Sequence, residues 1–387
     1  MTAAPRRAST DLQAAPERLT AQQRLLRVVQ RHRRATVIPA AVLTVVSLTA
    51  AFLPVDGDPL PAVDGAETVV VTGPVRLGRE LAPAAAAYGH DWVWDTSREM
   101  FSSAAHVSVP WVHPFEPSDP VPLATALPGT VVRDGAHPDA AAAAAAAGVD
   151  TVAATSPLYA GQATVEDALA AFDSAGLATA GIGLGTDRAL TPAVAEVGAR
   201  TVATFGFVDR AGDAASGPVR AGVAAAWPAR MIAAVRQASH HDLTIVHLYG
   251  GVTFDHRPQP RHQDLARALV DAGADVVVGT GAGVVHPVEI HRDGLIVYSP
   301  GNFVAGQGWT RTSEGVTVHI TWEGSGERRV RLEPHAVKQG RPVAAHPLRA
   351  ARIRGHLSAS VSGAGPQPTW ERTGQGGVTT LLPARQG

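Results

Sequence analysis

The chain reads as a mixed α/β fold, and three stretches predict it. An amphipathic helix with Leu265, Leu269 and Val270 at helical spacing runs through Ala272-Gly273 into the apolar strand Asp275 to Val278. That strand ends in a Gly-rich loop, Gly279 to Gly283, and a second apolar strand, Leu295 to Tyr298, stops at Ser299-Pro300-Gly301-Asn302-Phe303. Further on, Gly315 to Trp322 and Arg328 to Glu333 alternate apolar and polar residues around a Gly-Ser-Gly turn, the pattern of a hairpin with one wet face. Gly-rich turns directly after buried strands are where such folds place their chemistry, because backbone approaches a ligand closely there.

The other elements follow the same alternation. Residues 67–72 (ETVVVT) form a short β-branched strand running into Gly73-Pro74-Val75-Arg76-Leu77-Gly78-Arg79. Residues 105–113 hold a strand bounded by Pro110, and His137 to Asp150 reads as a helix that begins beside Pro138 and ends at Gly148. Thr164 to Gly176 is a helix with Glu166 and Asp167 in its first turn and Leu169 and Phe172 on its core side. Leu177 to Ile182 and Arg200 to Phe205 are strands, and Gly181, Gly183 and Gly185 between them read as a turn and not a nucleotide loop, since no helix with clear apolar periodicity follows. Trp227 to Ala238 is a helix, Asp242 to Leu248 a buried strand, and Pro342 to Leu357 a terminal helix. Residues 358–387, rich in Gly, Ser, Pro and Gln, read as a mobile tail.

At 387 residues and 45% apolar content the chain can bury a substantial core. A net charge of −1 argues against a nucleic-acid surface, and the absence of cysteine excludes disulfides, thiolate metal sites and a cysteine nucleophile. Charge is uneven. Residues 1–34 carry eight arginines against Asp11 and Glu17, a net of +6 that leaves −7 for the remainder. Residues 35–55 (ATVIPAAVLTVVSLTAAFLPV) have no charge at all, and about 20 such residues at ~1.5 Å rise cross a bilayer core. The flanking arginines place the basic arm in the cytoplasm and the rest outside the cell. A cleaved signal peptide is the competing reading, but the basic leader is long and Ala50-Ala51 is an indifferent cleavage site. The expected organisation is a cytoplasmic arm (1–34), a single-pass anchor (35–55), a Pro/Gly/Asp-rich linker (56–66), one domain (67–357) and the tail (358–387).

The run from Gln263 to Phe303 resembles the C-terminal motif of the CapA family of capsule and poly-γ-glutamate synthesis proteins, in letters that include Gln263, Leu265, Ala266, Leu269, Asp271 to Asp275, Val277, Gly279, Glu289, Ile296, Tyr298, Ser299 and Gly301 to Phe303. The resemblance extends over about 67–357 and implies an α/β sandwich of the calcineurin-like metallophosphatase type, whose members hold a divalent metal pair at strand ends. The metal slots it implies are altered here. Gly73 is kept, but Pro74 takes an Asp slot, Trp111 an Asn slot and His113 a Glu slot. Ser156 and Pro157 take two Asn slots, Leu158 a His slot, Gly161 an Asp slot, Leu248 a His slot and Val252 a Glu slot. The His-Pro-His of the family falls on Gly281, Ala282 and Gly283, whereas Gly301, Asn302 and Phe303 are retained. Proline, leucine and glycine offer no side-chain donor, which leaves His113 as the one weak metal candidate.

The sequence therefore predicts no bound cofactor and a non-catalytic, membrane-anchored extracellular member of the family, serving envelope polymer synthesis. Its expected partners are the membrane, the polymer and other capsule-synthesis proteins, with no nucleic acid. Two alternatives stay open: an active metal-dependent hydrolase or transferase with displaced ligands, and a small-molecule sensor signalling through residues 1–34. For the first, His247, His256, His262, His286, His291 and Asp255 could supply a relocated site; hydrogen-bonded or surface histidines are the expectation.

Overall fold

The computed structural model describes residues 57–63, 67–78, 80–116, 135–306, 310–323, 326–361, 363, 371–373 and 377–382. The first half of the domain runs β1 (Thr68–Val71), α1 (Ala82–Tyr88), α2 (Arg98–Ser103), β2 (His106–Trp111), α3 (Asp139–Ala146), β3 (Thr151–Ala154), α4 (Gln162–Ser174) and β4 (Ala178–Ala180). Next come β5 (Ile182–Gly183), α5 (Thr186–Leu190), β6 (Ala193–Val197), β7 (Arg200–Val208), β8 (Gly222–Val223), α6 (Pro228–Gln237), β9 (Leu243–Tyr249), α7 (Pro260–Asp271) and β10 (Val276–Thr280). The chain closes with β11 (Val288–His291), β12 (Gly294–Val297), β13 (Glu314–Trp322), β14 (Arg328–Lys338), β15 (Arg341–Ala344), α8 (Pro347–Leu357), β16 (Glu371–Arg372) and β17 (Val378–Leu382).

Two large sheets hold all of these strands but β5 and β8, which pair with each other. The first has the order β16-β17-β14-β13-β1-β2-β3-β4, with β15 paired to β14; the second has the order β11-β12-β10-β9-β7-β6. Strands β1 to β4 are mutually parallel, as are β7, β9, β10 and β12. Parallel neighbours need long crossovers, and the intervening helices supply most of them.

Period-two alternation decides which residues face which layer. Val69 and Val71 of β1, Val316, Val318 and Ile320 of β13 and Val330 and Leu332 of β14 meet Val202, Leu243, Ile245, Val276, Val278, Leu295 and Val297 of the second sheet in one buried cluster. The intervening Val70, with Val107, Val109 and Val152, faces outward under Phe101, Val165 and Phe172 of α2 and α4. On the far side, Phe205, Phe207, Val246, Leu248, Val277 and Ile296 pack beneath Met231 and Val235 of α6 and Leu265 and Leu269 of α7. The result is a four-layered sandwich, helices outside and two sheets inside, with each buried Val, Leu or Phe worth about 1.5–3 kcal/mol.

Several expectations are corrected. The stretch read as a linker docks on the domain over 57–63: Leu60 and Val63 are buried, and Leu60 N–H donates to Thr96 O at 2.7 Å. The wet face of the hairpin is partly dry: Thr317 and His319 are buried between the apolar positions of β13, while Arg329 of β14 stays exposed. Arg331 donates to His319 Nδ1 (3.0 Å), which leaves His319 Nε2–H to donate to Thr317 Oγ1 (2.9 Å). The terminal helix starts at Pro347, five residues late, since Arg341–Ala344 pairs with β14. The tail is not free along its length: β17 pairs with β14, and Val378 and Leu382 enter the core between the sheets. The glycine-rich turn at Gly181–Gly185 does lead into a helix, but that helix, α5, has five residues.

The anchor and the basic arm lie outside the described residues. Among the described residues no helix is long and apolar enough to cross a membrane.

Candidate functional site

The glycine-rich and proline-bounded turns singled out in the sequence all follow the C-terminal ends of parallel strands: Gly73-Pro74 after β1, His113 after β2, Pro157-Leu158 after β3, Gly250 to Val252 after β9 and Gly281 to Gly283 after β10. Backbone packing joins several of them. Pro74 O accepts from Phe303 N–H (3.2 Å) and Val304 N–H (3.3 Å), and a Cβ on Gly73 would stand 2.7 Å from Gly301 O. Only glycine permits that approach. Gly281 holds φ at 119° and a Cβ there would lie 2.5 Å from Gly250 O, so any other residue would be strained and would clash. Gly250 N–H donates to Thr280 O and Phe254 N–H to Ala282 O, both at 2.8 Å, which zips the β9 loop onto the β10 loop.

The retained Gly301-Asn302-Phe303 holds this arrangement together. Asn302 Nδ2 donates to Thr312 O (3.0 Å) and, less closely, to Gly283 O (3.4 Å), while Asn302 O accepts from His335 Nε2 at 2.9 Å. Phe303 is fully buried, 5.8 Å from the Phe101 ring and edge-on to His335 at 5.3 Å. The motif works as a staple among backbone segments.

Other slots are turned away. The Trp111 ring is buried in the outer core, 5.4 Å from Phe172 and 5.7 Å from Phe115. Leu248 is buried beneath the helices α6 and α7. Pro157 and Leu158 are exposed in the loop after β3, and Gly161 and Val252 are exposed too. His113 is half-buried, and its carbonyl accepts from Tyr159 O–H at 3.2 Å. These side chains do not form a ring of donors, and the residues present do not fit a divalent metal pair.

The nearby histidines do not rebuild one. His247, one residue before Leu248, faces the opposite side of β9, into the space between the sheets. His262, expected at a helix start, is the third residue of α7 and buried, with its ring wedged against Gly250 and Gly279. Burial lowers its pKa to about 4, with the neighbouring His286 adding to the effect, so the ring is neutral. His286 Nε2 donates to Asp255 O at 2.7 Å, and burial lowers its pKa as well. The Asp255 carboxylate accepts from Arg257 N–H (3.0 Å) and Gln259 Nε2 (2.6 Å). His256 lies 6.5 Å from His356, and His291 pairs with Asp271 at 3.0 Å. The described residues contain one group of three possible metal donors, His90, His137 and Asp139, which lies on none of these strand-end loops.

One residue that the motif comparison passed over stands at these strand ends. Arg76, two positions after Pro74, is half-buried. Burial lowers its pKa, while Tyr249 at the end of β9 and Glu80 favour its charge. No described residue hydrogen-bonds to its guanidinium. The signal was a single arginine inside an otherwise apolar Val75-Arg76-Leu77 run.

Comparison with known proteins shows the family. The sequence profile described as bacterial capsule synthesis protein PGA_cap matches residues 68–307, most of the domain. The PGA biosynthesis protein CapA of Bacillus subtilis (strain 168) is 37% identical over 145 residues, covering 37% of this chain and 38% of that protein. The capsule biosynthesis protein CapA of Bacillus anthracis is 28% identical over 283 residues, 71% of this chain and 68% of that protein. Among solved structures, TT1561 of Thermus thermophilus aligns over 66% of this chain and 94% of its own, at 10% identity and a TM-score of 0.35. With the profile spanning the strand-end loops and the stapling motif alike, the chain belongs to the bacterial capsule synthesis protein PGA_cap family.

Proposed function

We propose that this protein takes part in making a capsule or poly-γ-glutamate-type envelope polymer, held at the membrane by residues 35–55 with its domain outside the cell. It serves as a binding or assembly component and not as a metal-dependent hydrolase. One observation carries the second half: at the strand ends, Trp111 and Leu248 are committed to apolar cores and Pro74, Gly281 and Gly283 have no side-chain donor. The two CapA relatives support the polymer, and two sheets between outer helices are what the calcineurin-like fold would require. Arg76 supports an acidic ligand, since a half-buried guanidinium beside Tyr249 offers forked donors that suit carboxylates.

The test uses purified full-length protein carrying His90→Ala and His137→Ala, so that the one three-donor group among the described residues contributes nothing. Less than one bound metal per two chains and no phosphodiester turnover are expected. Two ions per chain, with turnover abolished by a chelator, would return the protein to the hydrolases. A gene deletion is expected to reduce surface polymer, and re-expression of an Arg76→Met variant to restore it incompletely; full restoration would remove Arg76 from the reading.

A further inference from the structure

Two histidines and an aspartate, from segments almost fifty residues apart in sequence, converge on the outer helical layer. His90 opens the 3-10 turn His90–Trp94, and His137 and Asp139 flank Pro138 at the start of α3. The two imidazole rings stack with centroids 4.4 Å apart and planes 17° from parallel. His137 Nδ1 stands 3.5 Å from Asp139 Oδ2, and one donor atom from each of the three residues lies within 4.8 Å of the others. His90 is half-buried, whereas His137 and Asp139 are exposed.

Burial lowers the pKa of His90, with His137 adding to the effect and Asp139 and Asp91 opposing it. Asp91 is itself drawn toward Arg98 (3.6 Å), which leaves Asp139 as the carboxylate that faces the pair. A tetrahedral divalent ion at about 2.0–2.1 Å from each donor sets donors roughly 3.4 Å apart. Rotation of the exposed His137 and Asp139 side chains covers the remaining gap. That rotation gives up the His90–His137 stack and, where Nδ1 is the ligating atom, the 3.2 Å hydrogen bond from Asp139 N–H to His137 Nδ1.

We propose that His90, His137 and Asp139 form a binding site for one borderline divalent transition metal ion, Zn2+ or Ni2+, with water completing the shell. Imidazole and carboxylate donors without thiolate select this class over Mg2+ or Ca2+, which take all-oxygen shells. The ion ties the His90–Trp94 turn to the start of α3, so its role is to fasten the outer layer, and it is independent of the proposed polymer function. His240–His241, whose rings lie 4.1 Å apart, and His256–His356 offer only two imidazoles each and act as internal controls.

Calorimetric titration of the full-length protein with Zn2+ tests it. One saturable site is expected, with affinity reduced about tenfold or more by His90→Ala and by His137→Ala. Asp139→Asn is expected to weaken it less, and His240→Ala to leave it unchanged. Because Asp139 and His137 are exposed, their variants keep the test valid even if His90→Ala fails to fold. Zn2+ is also expected to raise the melting temperature of the wild type and not of the His137→Ala variant. Equal Zn2+ affinity in wild type and His137→Ala, or no saturable binding, would overturn the assignment, as would Mg2+ binding as tightly as Zn2+.

Discussion

His247 Nε2 of β9 and Ser108 Oγ of β2 are hydrogen-bonded at 2.9 Å, joining the two sheets across the buried layer between them. Burial lowers the pKa of His247 to about 3. His319 is lowered to about 3 as well, and His262 and His335 to about 4, in each case with burial as the leading cause.

An acid-sensitive domain follows. In the unfolded chain these imidazoles take up protons near pH 6.5, but in the fold only at about 3 to 4. Between those limits the unfolded state binds more protons, so stability is greatest above pH 6.5 and falls as pH drops toward 4. Each histidine removes about 1.4 kcal/mol per pH unit in that window, and four together match a typical total stability of about 5–15 kcal/mol within roughly two units. Urea midpoints measured from pH 7 to pH 5 should drop steeply. A flat profile would mean that these rings are hydrated in the fold. Ser108→Ala, which leaves His247 Nε2 without its partner, should cost about 1–3 kcal/mol at pH 7.

A second polar link crosses the sandwich. Arg328 at the start of β14 pairs with Asp275 just before β10, both buried, and the other Asp275 oxygen accepts from Thr244 N–H at 2.7 Å. Asp275→Ala alone removes the carboxylate paired with a buried guanidinium and should cost about 3–5 kcal/mol. Adding Arg328→Met should recover part of that loss, because an apolar pair can replace a buried ion pair at little net cost. Equal destabilisation in the single and double variants would show that Asp275 acts through Thr244 alone.

Much of this was legible because the carriers are local. The helix at 263–271 and the strands after it announce themselves by apolar spacing, and β13 and β14 by alternation. The direction of Leu248 against His247 follows from strand period alone. What remained hidden depends on residues distant in sequence. Nothing near Trp111 tells that Phe172, on a helix sixty-one positions later, turns it into the core. The wedge of His262 between Gly250 and Gly279, the drying of His319 and the meeting of His90 with His137 likewise arise only when separate layers close.

Asn302 makes a sharper test of the retained motif. If it staples loops, Asn302→Ala should lower stability by about 1–3 kcal/mol through the lost bonds to Thr312 O and Gly283 O. Asn302→Asp keeps the size but replaces the donating amide with a carboxylate facing two carbonyls, and should be at least as harmful. Both Gly281 (φ 119°) and Gly161 (φ 90°) hold backbone that disfavours alanine, but Gly281→Ala should be the more destabilising, because its Cβ would stand 2.5 Å from Gly250 O and that of Gly161→Ala would meet nothing within 4 Å. Thermal melts of the four variants rank these effects.

The C-terminal strand gives the final prediction. Val378 and Leu382 of β17 lie on the inner face of the first sheet, and β17 covers the edge of β14 along Arg328–Leu332. A chain ending at residue 370 uncovers two core side chains, worth about 3–6 kcal/mol, and leaves β14 with unpaired backbone donors and acceptors. Its urea midpoint should fall, and it should aggregate at concentrations where the full chain does not. Leu382→Ala separates the two contributions, because it keeps the ladder and loses only side-chain packing, at about 2–4 kcal/mol. If the truncated chain matched the full one in midpoint and solubility, β17 would contribute nothing to the sandwich, and the loose tail read from its Gly, Ser and Pro content would be the better description.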